Sequence, residues 1–155
     1  MASKSVHQYA TFYVGDLFFG IEVHQVQELL RHQEITRVPL APDVIKGLIN
    51  LRGQIVTAVD MRRRLGLPPR ESAEPPMNVV LRYRDGIVSL IVDEIGDVLE
   101  PEAESSEPPP VTLRAAERAI IERVYKLDGK LLLALSTSHL LEGLCSSAVQ
   151  TGGEL

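Results

Sequence analysis

The sequence predicts an all-β protein made of two small barrels packed on each other, and three observations support this. Apolar residues make up 45% of the 155 residues but aromatic residues only 5%, so the core is aliphatic. Short apolar runs alternate with two-residue turns, a pattern typical of β-hairpins. The two halves of the chain also resemble each other, which indicates that one supersecondary unit is used twice.

The first unit spans roughly residues 8–67. Strands are predicted over 8–14 and 18–23, on either side of a Gly-Asp turn. Two further apolar runs within residues 45–60 flank an Arg-Gly turn. Residues 60–66 have the pattern of a short helix that is capped by aspartate and ended by glycine.

The second unit spans roughly residues 77–143 and repeats this order. Strands are predicted over 77–83 and 87–92, and a hairpin over 124–135. The turns of both hairpins are Asp-Gly pairs, at Asp85-Gly86 and Asp128-Gly129. Short helices are predicted over 112–119 and 138–143.

The repeat is visible when residues 16–30 are placed over residues 85–99, and residues 48–59 over residues 124–135. The matched pairs include Glu28 with Asp97, Gly53 with Gly129 and Ala58 with Ala134. About five short strands per unit favour an SH3-like barrel, because closure removes exposed strand edges. We therefore predict two packed five-stranded SH3-like barrels with few short helices, between which strands can be exchanged.

Two segments are predicted to be linkers. Residues 68–76 are proline-rich and separate the units. Residues 94–110 hold six acidic residues, four prolines and no lysine or arginine, so we expect an extended, exposed segment. Residues 144–155 are polar and are predicted to form a flexible tail.

The Arg-Gly turn contains the most informative residue of the chain. Arg52 occupies a turn position where asparagine or aspartate suits the backbone better, which suggests a role outside folding. If Arg52 meets Glu28, the residues alone favour an ordinary exposed ion pair worth about 0–1 kcal/mol. A recognition pair beside an apolar groove formed with Val26 is the functional alternative.

No enzymatic constellation is found in the sequence, so neither catalytic activity nor a cofactor is expected. A phosphate-binding glycine loop, a His-Glu-x-x-His pair and a Gly-x-Ser-x-Gly elbow are all missing. The four histidines are scattered, so no metal site is predicted. Cys145 is the sole cysteine, which rules out an intrachain disulfide. No apolar run approaches about 18 residues and no signal peptide is recognisable, so we predict a cytoplasmic protein without membrane insertion.

Charge is divided unevenly between the halves. Residues 1–70 carry nine Lys/Arg and six Asp/Glu, whereas residues 71–155 carry seven and fifteen, which gives +3 and −8. The two halves can therefore steer different partners to different faces, and a chance imbalance of solvated surface charge explains the difference equally well. The basic cluster Arg62-Arg63-Arg64 is interpreted as a solvated helical turn rather than a nucleic-acid site, because the net charge is −5 and no exposed aromatics accompany it.

Five segments occur in a fixed order along the chain: QYATFYVGD at 8–16, FGIEVHQVQE at 19–28, ITRVP at 35–39, APDVIKGLINLRG at 41–53 and KLDGKLL at 126–132. Together they resemble the CheW family, the coupling proteins of bacterial chemosensory arrays. The resemblance covers roughly residues 6–143. A member of this family is expected to have two SH3-like barrels and no catalytic activity.

The resemblance also implies partners and contact residues. A CheW-like protein bridges the cytoplasmic tips of methyl-accepting chemotaxis receptors to the regulatory domain of a CheA-type histidine kinase, in arrays at the membrane. The resemblance assigns receptor contact to Val26, Glu28, Gly47 and Arg52. For the kinase-facing surface, Leu30, Ile35 and Val38 are candidates, although core packing explains Ile35 and Val38 equally well. The alternative function is a small-ligand-binding β-barrel protein or an enzyme whose site the spacing hides.

Overall fold

A computed structural model describes residues 7–71 and 73–142. Within this part the chain forms eleven strands, three short α-helices and two 3₁₀ turns, at Val23–Gln25 and Ala103–Ser105. The predicted all-β fold is confirmed. The strands are β1 Tyr9–Val14, β2 Leu17–Glu22, β3 Val26–Arg31, β4 Ile45–Leu51, β5 Gln54–Asp60, β6 Met77–Tyr83, β7 Gly86–Val92, β8 Glu94–Leu99, β9 Ser106–Glu107, β10 Ile121–Leu127 and β11 Lys130–Leu135. The helices are α1 Met61–Arg64, α2 Ala115–Arg118 and α3 Thr137–Leu141.

The strands form two sheets, and each sheet takes strands from both halves of the chain. One sheet has the order β3-β6-β7-β5-β4, and the other has the order β8-β1-β2-β11-β10-β9. The β1–β2 hairpin therefore lies between β8 and β11, and the β6–β7 hairpin lies between β3 and β5. The repeated units seen in the sequence have exchanged their first hairpins, so neither unit 8–67 nor unit 77–143 forms a sheet by itself.

The exchange is reciprocal and follows the internal repeat. Each hairpin pairs in antiparallel fashion with a strand of the other half, β1 with β8 and β6 with β3. Each also makes a parallel pair on its other side, β2 with β11 and β7 with β5. The six-stranded sheet differs from its counterpart only in the added two-residue strand β9, which pairs with β10.

Three apolar clusters hold the sheets together. The largest contains residues of both sheets and of α1 and α3, among them Phe12, Phe19, Leu90 and Leu140, so it lies between the sheets. Two smaller clusters each belong to one sheet. The cluster of the five-stranded sheet, here called the β4–β7 cluster, consists of Ile49, Leu51, Val56, Ala58, Val80 and Ile91. Both faces of the central strands are therefore buried, which explains their continuous apolar sequence.

Some element boundaries differ from the sequence predictions. The β6–β7 turn lies at Arg84-Asp85, because β7 already begins at Gly86. The segment predicted as an exposed linker, 94–110, contains β8 and β9, since partly buried Ile95 and Leu99 let its start pair with β1. Asp60 caps α1 as predicted, accepting the Arg62 backbone N–H at 3.0 Å.

The exchange predicts that the first half of the chain does not fold alone. A fragment of residues 1–69 leaves β3 without its partner strand β6, and β1, β2 and β5 each without one of two partner strands. A chain of this size has too small a core to compensate. We expect poor amide dispersion by NMR and no cooperative unfolding transition, with native-like spectra recovered on mixing with fragment 70–155. Reversible, cooperative unfolding of fragment 1–69 by itself would contradict the exchange.

Candidate functional site

The structure brings Glu28 and Arg52 together. Arg52 lies at the tip of the β4–β5 hairpin, where its guanidinium donates a hydrogen bond to Oε2 of Glu28 on β3. The Arg52 side chain is 69% exposed and that of Glu28 is 23% exposed. The pair therefore connects two strands at the surface and leaves most of the guanidinium in solvent, where such a pair contributes about 0–1 kcal/mol to stability.

The backbone at Arg52 is unfavourable for arginine. Its φ is 49° and that of Gly53 is 87°, so both central residues of the turn are left-handed, as a type I′ turn requires. The Oδ1 of Asn50 accepts the Gly53 backbone N–H at 2.9 Å and closes the turn. A left-handed arginine costs about 1–2 kcal/mol relative to glycine. Local folding preferences therefore do not explain why arginine occupies this position.

Val26 does not share the face of this pair. A register shift separates Val26 from Glu28, so Val26 lies opposite Leu81 whereas Glu28 lies opposite Val80. Because opposed residues of an antiparallel pair lie on the same face, Val26 faces the cluster between the sheets and Glu28 faces the other side of β3. Strict alternation along β3 would have placed both residues on one side.

Gly47 has a packing role that the structure makes explicit. Thr36 pairs with Leu48 through two backbone hydrogen bonds of 2.8 Å, which lays the segment before β4 across that strand. A Cβ added at Gly47 would clash with the Thr36 carbonyl oxygen and would lie 2.6 Å from Cγ2 of Ile35. The absence of a side chain at Gly47 therefore lets this segment approach β4.

The three kinase-facing candidates are partly buried. Leu30 and Ile35 pack against the β4–β7 cluster. Val38 lines a cleft of about 200 Å³ between the loop 36–43 and the start of β4. The apolar side chain that this loop exposes completely is Leu40, which sequence reasoning missed. A leucine between Pro39 and Ala41-Pro42, in a loop rich in turn residues, is the signal that would have identified it.

The arginine cluster of α1 is divided between two environments. Arg62 forms a bidentate ion pair with Asp93, with distances of 3.0 Å from Nε to Oδ1 and 2.7 Å from the terminal nitrogen to Oδ2. Its side chain is 21% exposed and that of Asp93 is 12% exposed. Arg63, by contrast, is exposed. The interpretation as a solvated turn is therefore correct for Arg63 and wrong for Arg62, because the end of β7 brings Asp93 against α1.

Asp93 connects both sheets. Its Oδ2 accepts the backbone N–H of Gly15 at 2.7 Å, and Nε of Arg70 lies 3.7 Å from its Oδ1. Burial by itself would raise the pKa of Asp93. The hydrogen bonds from Arg62 and Gly15 and the charges of Arg62 and Arg70 outweigh burial, so the pKa of Asp93 is held below its ordinary value.

Comparison with known proteins agrees with this architecture. The family model of the CheW-like domain matches residues 8–145. The chain belongs to the CheW family. It is 32% identical to the chemotaxis protein CheW of Bacillus subtilis over 90% of this chain and 89% of that protein. It is 34% identical to the chemotaxis protein CheW of Klebsiella aerogenes over 91% of this chain and 86% of that protein.

A solved structure shares the fold. The scaffolding protein TtCheW of Thermoanaerobacter tengcongensis superposes with a TM-score of 0.79 at 27% identity, over 88% of this chain and 93% of that chain. The CheW family consists of non-catalytic chemotaxis scaffolds, so the prediction that this chain is not an enzyme is confirmed. Among the described residues, no helix has the length and apolar character needed to cross a bilayer.

The Asp93 ion pair predicts a specific dependence of stability on pH. The pKa of Asp93 is lower in the folded than in the unfolded chain. The ionised carboxylate therefore stabilises the fold fully at pH values above the ordinary aspartate pKa of about 3.9, and this stabilisation is lost as the pH falls below that value. Asp93→Asn should lower the free energy of unfolding at pH 7 by about 2 kcal/mol, since Arg62 loses a charge-assisted bidentate partner. Urea unfolding at a series of pH values measures both effects.

The matched variant is Arg62→Gln, which removes the other partner of the same pair. It should also flatten the loss of stability below about pH 4, and the double variant should be less destabilised than the sum of the two single variants. Additive effects, or a wild-type pH profile in Asp93→Asn, would show that the pair does not act as a unit.

Proposed function

We propose that this CheW-family chain couples chemoreceptors to a CheA-type histidine kinase as a scaffold without chemistry of its own. In this proposal one surface contacts the cytoplasmic tip of a methyl-accepting chemotaxis receptor, and another contacts the regulatory domain of the kinase. The protein acts in the cytoplasm and is recruited to receptor arrays at the membrane. Family membership across residues 8–145 supports the general role.

The Glu28–Arg52 pair is the observation that supports the proposed receptor-binding surface. A mainly exposed arginine is held in a left-handed turn that favours other residues, and a neighbouring carboxylate fixes its orientation. The bond to Glu28 leaves further guanidinium N–H groups available to acceptors of a partner. We infer that Glu28 and Arg52 contact the receptor directly. Val26 and Gly47 contribute by holding β3 and β4 in place, since Val26 faces the interior and Gly47 has no side chain.

We assign the kinase-binding surface of the proposed scaffold to the segment that follows β3. Leu30 and Ile35 support this segment from the β4–β7 cluster, and Val38 lies at the edge of the cleft before β4. A scaffold with two separate surfaces makes the second binding event intramolecular, which raises the effective concentration of kinase at the receptor. No covalent step is required of the scaffold.

The test on the receptor side uses Arg52→Asn. Asparagine suits the left-handed turn, so the melting temperature should stay within about 3 °C of wild type or rise, while affinity for a purified receptor tip should fall about tenfold or more. Arg84→Asn is the matched control, because Arg84 is also an exposed arginine with positive φ, at 55°, in a hairpin turn. It should leave receptor affinity unchanged in calorimetric titration.

Two results would count against this assignment. Unchanged receptor affinity in Arg52→Asn would remove Arg52 from the contact surface. A large drop in melting temperature with normal receptor binding would return Arg52 to a structural role.

A further inference from the structure

A cavity of about 300 Å³ lies where α1 and the segment that follows it meet the start of β4 and the ends of β5 and β7. One part of its lining is apolar and consists of Leu67, Ile91 and two prolines. The other part consists of four basic and three acidic side chains. Apolar walls combined with a few polar groups are typical of small-molecule sites, whose volumes begin at about 300 Å³.

Two of the three acidic side chains are already paired within the molecule. Asp93 accepts the bidentate bond of Arg62 and the backbone N–H of Gly15. Asp60 accepts the backbone N–H of Arg62 at 3.0 Å as the cap of α1. The third acidic residue, Glu74, adds one negative charge to the lining. The charges of Asp93 and Asp60 are therefore compensated by their own partners, which leaves the basic side chains in excess.

Arg70 is the least exposed of the basic side chains, at 16%, and it has donors to spare. Within the described part of the chain its hydrogen bond goes from Nη1 to the carbonyl oxygen of Glu74. Its Nε lies 3.7 Å from Oδ1 of Asp93, which is beyond hydrogen-bond distance. A guanidinium carries five N–H donors in a planar fork, so most donors of Arg70 remain available.

These donors of Arg70 face open space. Among the described residues, every fully buried side-chain nitrogen or oxygen has a hydrogen-bond partner. The unbonded nitrogens of Arg70 are therefore not enclosed by packed protein, and the cavity that Arg70 lines is the space into which they can donate. A largely buried cation with open donors is the strongest feature of this site.

Lys46 and Arg63 add two further cations with weak internal pairing. Nζ of Lys46 lies 4.0 Å from Oδ2 of Asp60, and Nη1 of Arg63 lies 4.0 Å from Oδ2 of Asp43. Contacts of this length are not hydrogen bonds, and exposed pairs of this kind contribute little to stability. Both side chains are about half exposed, so they can turn toward a ligand at small cost. Three of the four basic side chains therefore keep donors for a ligand.

The chemistry of the lining selects an anion with a short carbon chain. The guanidinium fork of Arg70 matches two oxygens of a carboxylate or phosphate group. The side chains of Leu67 and Ile91 offer apolar contact to the carbon atoms beside such a group. A neutral molecule of the same shape would leave the cations without a charged partner, and therefore binds less well.

We propose that this cavity binds a small organic anion, a short dicarboxylate or a phosphate monoester, whose anionic group pairs with Arg70, Lys46 and Arg63. The proposal goes beyond the scaffold role and does not depend on it, because binding is a property of the isolated chain. The lining comes from both halves of the chain, Lys46 and Arg63 before the segment that separates them and Ile91 after it.

The test titrates the intact chain with succinate, glycerol 3-phosphate and inorganic phosphate at constant ionic strength, by calorimetry and amide NMR. At least one organic anion should bind saturably to one site with a Kd of about 1 mM or below, with the largest amide shifts at residues 46, 63, 70 and 91. Succinamide, the neutral counterpart of succinate, should not bind. At ten times Kd the melting temperature should rise by about 3 to 6 °C, because the ligand binds only the folded chain.

Three variants locate the site. Arg70→Gln should weaken binding about tenfold or more, since it removes the enclosed guanidinium. Lys46→Gln should weaken binding about threefold, and because Lys46 is half exposed this variant keeps the test valid if Arg70→Gln folds poorly. Arg118→Gln is the matched control, because Arg118 is an exposed arginine on α2 outside the cavity, and its affinity should equal that of wild type.

Three outcomes would overturn the proposal. Absence of saturable binding of all the anions would remove the site. Wild-type affinity in both Arg70→Gln and Lys46→Gln would place binding elsewhere on the molecule. Inorganic phosphate that binds as tightly as the organic anions would show an ion site without use of the apolar wall, which contradicts an organic ligand. None of these outcomes affects the scaffold role, which is tested with receptor and kinase.

Discussion

The reciprocal exchange of hairpins is the constraint on which the rest of the molecule depends. Each sheet is completed by a hairpin from the other half of the chain, through one antiparallel and one parallel pair. Burial of apolar residues on both faces of the central strands then joins the sheets through one shared cluster. Asp93 reinforces this union, because it binds α1 through Arg62 and the β1–β2 turn through Gly15. Surfaces on different elements are thereby fixed relative to one another.

This packed framework supports two unfavourable backbone conformations. Leu40 and Arg52 both have positive φ and are both exposed, and both adjoin β4, one before its start and one after its end. The strand pairing and core packing supply the stability that these conformations cost, at about 1–2 kcal/mol each. In the proposed scaffold role Arg52 is a contact residue, and its position directly after β4 fixes its placement.

Local chemistry in the sequence predicted much of the fold and part of the site. The Gly-Asp turn after β1, the Arg-Gly turn after β4 and the aspartate cap of α1 follow from short-range backbone preferences. The pairing of β2 with β11 could not be predicted in the same way, because Phe19 and Leu133 are far apart in the chain and nothing local specifies their register.

For the candidate site residues, too, the sequence predicts some contacts, whereas others depend on the three-dimensional structure. The meeting of Glu28 and Arg52 was considered from the sequence, and the structure places them in contact. The separation of Val26 from Glu28 depends on an irregularity in β3 that alternation does not reveal. The burial of Arg62 required knowledge of where β7 ends, since three consecutive arginines otherwise indicate a solvated turn. The full exposure of Leu40 could not be predicted, because it depends on how the whole loop lies against β4.

The most direct test of the scaffold role is the rate of kinase autophosphorylation in mixtures of the purified components. Kinase and receptor are combined with and without the intact chain, at matched concentrations of cognate partners. If one rigid protein joins the two partners, the rate should increase only when all three components are present, and high salt should slow assembly because opposite charges steer it. Equal rates with and without the chain would contradict the coupling role.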